Sequence, residues 1–191
     1  MTGKPTMTQT VIKHFLENKL QIKCGASTGV AAASMGIPSA TTLHTGWHVP
    51  TNQNQEGMQS SEPNWHIPLL SSHLKNLKET FQKSIENGLP FTTFLDEICM
   101  ISCIVLGHIV YQNCLIHPEV EPAFVLIGDP FQIPPTGATP FYESMLCIFV
   151  EQNPSSTTSP EQIGANLLLK TRLIQLSAQN CSERCHSFQE Y

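Results

Sequence analysis

Positive charge is scarce: ten Lys plus Arg stand against fifteen Asp plus Glu in 191 residues, a net charge of -5. A free-standing nucleic-acid binder usually carries a basic footprint, and this chain has none. Any such contact has to come from a few local groups or from other parts of a larger protein. Charge of either sign is thin, at 13%, while 40% of residues are hydrophobic, which excludes a disordered, self-repelling chain and fits one globular domain with a sizeable core. No apolar run approaches the length of a membrane span, so no transmembrane helix and no membrane partner are expected. The opening MTGKPTMTQTV lacks a basic segment followed by an apolar one, so no secretory signal is expected either. The seven cysteines are odd in number, which favours reduced thiols and an intracellular setting. Cys99 with Cys103, and Cys181 with Cys185 and His186, lack zinc-finger spacing, so buried apolar thiols are the better reading.

What is present is an alternation of short apolar strands and helices. Thr6–Leu20 reads as a helix from the spacing of Val11, Ile12, Phe15 and Leu16, and Gln21–Cys24 as a strand entering the small-residue turn Gly25-Ala26-Ser27-Thr28-Gly29. Val30–Met35 follows as a short helix. Residues 51–64 form a polar loop, Leu69–Asn87 returns to helical period, and Phe91–Leu95 is a strand ending at Asp96-Glu97. Ile101–Asn113 reads as a helix, and Ala123–Ile127 as a strand running into Gly128-Asp129. Residues 152–162 are rich in Ser, Thr and Pro and read as a loop, before a last strand at Arg172–Leu176. This order implies an α/β fold with a mainly parallel sheet. Ligands of such sheets bind beyond the carboxyl ends of the strands, which puts Asp96 and Asp129 at one rim.

Four segments carry chemistry. Phe94-Leu95-Asp96-Glu97 is an apolar strand ending in two acids. Nucleotide hydrolases use the first carboxylate for Mg²⁺ and the second to orient or deprotonate the attacking water. Two solvated acids at a strand end are the alternative. In Val125 to Pro135, a Gln (Gln132) follows the strand-end Asp129 and can reach a γ-phosphate, with Pro134-Pro135 stiffening the loop; a rigid surface turn is the alternative. Thr2-Gly3-Lys4-Pro5-Thr6 opens a helix and keeps only the Gly-Lys of a phosphate loop, in which Lys neutralises phosphate oxygens. A frayed terminus is the bland reading of that fragment. In Ala26 to Ala32 and Thr41 to Trp47, small residues and hydroxyls at a helix start suit a DNA phosphate, and Trp47 could stack on a base. Core packing for Trp47 and a structural role for His44 stand beside that reading.

Taken in order, TGKPT, ASTGVAA, TTLHTGW, FLDEICMIS, LIGDPFQIPP and QLSAQNCSERCHSF resemble the successive motifs of superfamily-one DNA helicases of the Pif type, relatives of RecD. The resemblance implies a P-loop NTPase: a RecA-like first motor domain over 1–191, using ATP and Mg²⁺ to move 5′ to 3′ on single-stranded DNA. It further implies Gly3, Lys4 and Asp129 at the bound nucleotide, with Lys4 on phosphate, Asp96 on Mg²⁺, Glu97 on the catalytic water, Gln132 sensing the γ-phosphate, and Thr28, Gly29, His44 and Trp47 near DNA. Family roles span DNA recombination, DNA repair, mitochondrial DNA upkeep and telomere maintenance, so nucleus or mitochondrion is the expected location in a eukaryote. Pro5 departs from the family's Ser/Thr at the Mg²⁺ position, and Cys181 from its Arg. The expectation is a partial motor lacking the upstream phosphate arc and the second motor domain, hence inactive alone. The rival reading is a degenerate remnant that acts as a nucleic-acid or protein binding module.

Overall fold

The computed structural model describes residues 4–49, 71–82, 86–87, 91–116, 118–129, 134–135, 138–141, 143, 159–172 and 174. Four parallel strands form its sheet: β1 (Ile22–Ala26), β2 (Thr41–Thr42), β3 (Thr92–Asp96) and β4 (Ala123–Leu126), in the order β2-β1-β3-β4. Helices α1 (Lys4–Glu17), α2 (Gly29–Ser34), α3 (Leu43–Trp47), α4 (Ser71–Thr80), α5 (Cys103–Ile116) and α6 (Pro160–Lys170) complete the described elements. The α/β architecture and the parallel sheet match the sequence expectation.

β3 is central and buried along its whole length, as a parallel strand covered on both faces must be. Its alternation sorts the core into two layers. Phe94 points to one face, where it meets Phe15 of α1 edge-on at 5.3 Å beside Ile12, Cys24, Met35 and Ile127. Leu95 points to the other, among Leu43, Trp47, Leu77, Phe81, Phe91, Leu106 and Ile109, with Phe81 and Phe91 stacked at 4.0 Å. Burying side chains of this size contributes about 1.5–3 kcal/mol each. One polar thread crosses the second layer: Trp47 Nε1 donates to Asn113 Oδ1 at 3.2 Å, and Asn113 Nδ2 donates to Thr93 Oγ1 at 3.0 Å. Pairing of this kind removes the desolvation penalty that a buried amide would otherwise carry.

Three expectations need correction. Residues 152–162 are not a loop to their end: Ser159 caps α6, accepting from Gln162 N while the Gln162 side chain accepts from Ser159 N. Pro160 sits in the first turn, where its missing N–H costs nothing. Within the expected last strand, Arg172 and Ile174 are described and neither is in a strand. Trp47 is 0% exposed and belongs to the core, so it offers no face to a base. The polar loop 51–64 lies outside the described residues.

Burial has a titration consequence at Lys23. Its ammonium lies 4.9 Å from the Trp47 ring centroid, and desolvation lowers its pKa from 10.5 to about 8. Between those values the unfolded chain holds more protons than the folded one, so this group makes stability rise with pH from about 8 to 10.5. Cys24, pushed up from 9.0 to about 12 by burial, works in the opposite sense above pH 9. Comparing the chain with its Lys23→Met variant cancels the thiol. The variant should be more stable at pH 7 by about 1–2 kcal/mol, net of a lost cation–π contact. That gain should shrink as the pH approaches 10 in urea titrations; a constant gain would show that the charge is not its source.

Candidate functional site

The carboxyl ends of β1, β3 and β4 open on one rim, and the start of α1 closes over it. The register pairs Ala26 with Asp96 and Leu95 with Leu126, so Ser27-Thr28, Asp96-Glu97 and Gly128-Asp129 leave adjacent strands at nearly one level. Ile98 N donates to Ile127 O at 3.0 Å, which ties the turn after β3 to the end of β4. The two strand-end acids thus leave neighbouring parallel strands, as the sequence implies.

Asp96 is 2% exposed, and its charge is balanced locally. Lys4 Nζ lies 3.3 Å from Asp96 Oδ1, with side-chain exposures of 15% and 3%. The same oxygen accepts from Glu97 N at 2.7 Å. A pair this enclosed is fragile to loss of one member, because the survivor is left buried and uncompensated at a cost of about 3–5 kcal/mol. The weak sequence fragment Gly3-Lys4 therefore does bring a lysine to the strand-end acid. Gly3 and Gln132 lie outside the described residues.

Glu97 is held in a way that sequence reading missed. Its backbone is left-handed, at φ 54° and ψ 42°, a conformation that costs a non-glycine residue about 1–2 kcal/mol. Ser27 Oγ donates to its Oε2 at 2.8 Å and Thr28 Oγ1 donates to the same oxygen at 3.1 Å. The Thr28 hydroxyl also accepts from Ala31 N at 3.2 Å, capping α2. Thr28 was expected near DNA; here its hydroxyl engages the second acid. Cys99 lies just behind. Its thiol is pushed up chiefly by burial, then lowered by the Asp129 backbone, raised by the Asp129 charge and lowered by Lys4. Lys4 and Asp129 are thus both within electrostatic reach of one sulfur. At Gly128 an added Cβ would stand 2.9 Å from Cys99 Sγ and from Ile98 Cγ1, so the backbone passes close to this turn.

The other sequence candidates sit along α2 and α3. Gly29 is exposed with nothing within 4 Å of an added Cβ, and Val30 beside it is 84% exposed. His44 Nδ1 lies 3.2 Å from Val49 O and so fastens the chain after α3. A surface hollow lined by Gly29, Ala32, Gly36, Pro38, Thr41 and Thr42 runs along α2 and β2, and none of Lys4, Asp96, Glu97 or Asp129 lines it. Among the described residues no group of three His, Cys, Asp or Glu is arranged to hold a metal, and no helix is long and apolar enough to cross a membrane. Among the described residues Cys24, Cys99, Cys103 and Cys114 form no disulfide.

No protein-family model matches the chain, and no curated protein matches it significantly. Solved structures do. Bacteroides Pif1 bound to ssDNA superposes with a TM-score of 0.51 at 20% identity, over 81% of this chain and 31% of that one. The Pif1 helicase from Bacteroides in complex with ADP-AlF3 and ssDNA gives 0.52 at 20% identity, over 78% and 30%. The chain therefore spans about a third of the length of these structures. At that identity the likeness speaks to the fold: the chain has the RecA-like α/β fold found in Pif1 helicase structures.

Proposed function

We propose that the chain is the first motor domain of an ATP-dependent DNA helicase of the Pif type, with a nucleotide site at the strand-end rim. The observation that carries this reading is the Lys4–Asp96 pair at 3.3 Å, with Glu97 next in the chain. A lysine opening a helix and a buried strand-end carboxylate are the two groups that phosphate and Mg²⁺ handling uses, and here they meet at one rim. In this reading Lys4 and Gly3 bind phosphate, Asp129 belongs to the nucleotide site, Asp96 holds Mg²⁺, Glu97 orients the catalytic water, and Gln132 senses the γ-phosphate. Asp96 fits the metal's role: it is buried, hard in donor chemistry and already balanced by a cation. Pro5 brings no hydroxyl to it. Mg²⁺ would supply charge neutralisation on the phosphates.

Phosphoryl transfer depends almost wholly on positioning and charge stabilisation, so a site with Pro5 in place of a hydroxyl residue and Cys181 in place of an arginine loses several powers of ten. The purified chain should therefore hydrolyse ATP negligibly on its own. Robust turnover that Glu97→Gln abolishes would contradict this, and would mean that the site is complete as it stands. The degenerate binding-module reading has the substitutions Pro5 and Cys181 in its favour and differs in one measurable respect: turnover would stay absent in any longer protein that carries this sequence unaltered.

Single-stranded DNA is the partner in this reading, through Thr28, Gly29 and His44. With a net charge of -5, few cations are available to release counterions from a strand. Binding of the isolated chain to an oligonucleotide should be weak, and lost between about 50 and 200 mM salt. Tight binding that persists at high salt in fluorescence anisotropy would contradict the assignment. Placement in recombination, repair or telomere maintenance, and in nucleus or mitochondrion, belongs to the same proposal.

A further inference from the structure

Lys23 is placed unlike the lysines that meet an acid. Lys4, Lys13 and Lys75 pair with Asp96, Glu17 and Glu79 in turn. Among the described residues no carboxylate pairs with Lys23. Its ammonium rests instead on an aromatic face, 4.9 Å from the Trp47 ring centroid. That ring is fixed, since Trp47 is fully buried and its Nε1 donates to Asn113 Oδ1 at 3.2 Å. Gly46 passes beside the lysine stem: an added Cβ there would stand 3.6 Å from Lys23 Cε and would run into Thr41 Oγ1. The neighbours of the stem are thus an indole, a glycine and an uncharged hydroxyl residue. An indole face favours the charged amine, but it offers one weak contact where water offers an ammonium three hydrogen bonds. Burial accordingly lowers the Lys23 pKa from 10.5 to about 8, with no charged group opposing it. At pH 7.5 about a quarter of these side chains are then neutral, against about one in a thousand at the ordinary value. The residue is only partly buried, so a reagent in solution can reach it.

We propose that Lys23 is an acylation site of the folded chain: its side-chain amine, seated on the Trp47 face with no acid partner, takes an acyl group from an acyl thioester. A lysine desolvated against apolar surface is the form of this residue that attacks carbonyl carbon near neutral pH. The neutral amine adds to the thioester carbonyl. A C–N bond forms, the C–S bond breaks, and the thiol leaves with the proton that the nitrogen gives up. The product suits its surroundings better than the reactant did, because an amide carries no charge for burial to oppose. A short acyl chain is also matched to the indole surface beside it. The site lies near the start of β1, at the other end of the strand from Ser27 and Thr28, and does not depend on the proposed nucleotide site.

The test incubates the intact chain with S-acetyl-N-acetylcysteamine, a small acetyl thioester. Hydroxylamine then strips acetyl from any thiol, and peptide mass spectrometry reads the acetylated lysines. At pH 7.5 Lys23 should be acetylated at least about tenfold faster than Lys13 and Lys75, which are exposed. Its rate should level off above pH 8, while that of Nα-acetyl-lysine amide, the reference amine, keeps rising towards pH 10. In urea sufficient to unfold the chain the advantage should vanish. Thr41→Glu brings a carboxylate to the far side of Gly46 and should slow Lys23 by about tenfold, whereas the uncharged Thr41→Gln should not. The pH profile of the unaltered chain stands whether or not Thr41→Glu folds. The proposal is overturned if Lys23 reacts no faster than Lys13 and Lys75, if its rate climbs in parallel with the reference amine, or if the advantage persists in urea. Equal rates in folded Thr41→Glu and Thr41→Gln would overturn it as well.

Discussion

Gly164→Ala should lower the melting temperature by roughly 6–12 °C, although alanine is the better helix former. In an open helical position this exchange adds up to about 1 kcal/mol of stability. Here α5 and α6 cross backbone on backbone. An added Cβ at Gly164 would overlap the Cys103 carbonyl and stand 2.9 Å from Gly107 N, and one at Gly107 would overlap the Pro160 carbonyl. The obstacles are main-chain atoms of a second helix, which cannot rotate aside as a side chain can. The helices must separate, uncovering the Leu106 and Ile109 face of α5 that closes the core. Overpacking costs about 1–3 kcal/mol, and a backbone obstacle belongs at the upper end. For a chain of this length 1 kcal/mol corresponds to about 2–4 °C. Gly29→Ala is the internal contrast: nothing lies within 4 Å of its added Cβ, so it should be neutral or slightly stabilising. Equal effects of the two substitutions in calorimetry would show that the helix crossing is looser than described.

The second large effect concerns nucleotide chemistry. Joined to a complete phosphate loop and a second motor domain, the chain carrying Pro5→Thr with Cys181→Arg should turn over ATP orders of magnitude faster than the unaltered sequence in the same setting. Pro5 follows Lys4 in the first turn of α1, where proline is structurally tolerated, so the exchange should leave the fold intact while returning a hydroxyl oxygen for Mg²⁺. Cys181, outside the described residues, stands in the proposed reading where the helicase motif has an arginine, and a thiol is only a weak donor beside a guanidinium fork. Removing a single well-placed charge-stabilising donor costs about 10²–10³ in rate, so two repairs have ample room to register. Equal steady-state rates for the repaired and unrepaired proteins would mean that neither position touches the reaction.

The parts of the fold legible in the sequence are those fixed by local pattern. β3 and β4 are short runs rich in β-branched, aromatic and aliphatic residues that end at Asp96 and just before Gly128-Asp129, and that length, composition and flanking favour strands over buried helix. α1 was legible from its period, with the helix beginning at Lys4 and ending at Glu17. α6 carried a readable signal, Ser159-Pro160-Glu161-Gln162, that the surrounding Ser, Thr and Pro concealed; serine followed three residues on by glutamine is a capping box. Contacts between distant segments were not legible. Glu97 meets Ser27 and Thr28 across 70 and 69 residues, and nothing at either position marks the other. Trp47 illustrates the same limit: an aromatic in a polar stretch suits a core first and a base stack second, and its full burial with the bond to the Asn113 amide 66 residues away decides for the core. The Lys4–Asp96 pair is the mixed case, since the residue types were suggestive but their meeting depended on how α1 packs on the sheet.

Binding of ATP with Mg²⁺, mapped by backbone amide chemical shifts in the intact chain, tests the central claim most directly. The expected result is a saturable change concentrated at residues 4–8, 27–28, 96–99 and 127–129, where α1 and three strand ends converge, and absent in Lys4→Met. Saturable changes confined to the hollow along α2 and β2, or no change at millimolar ATP, would contradict a nucleotide site built on Lys4 and Asp96.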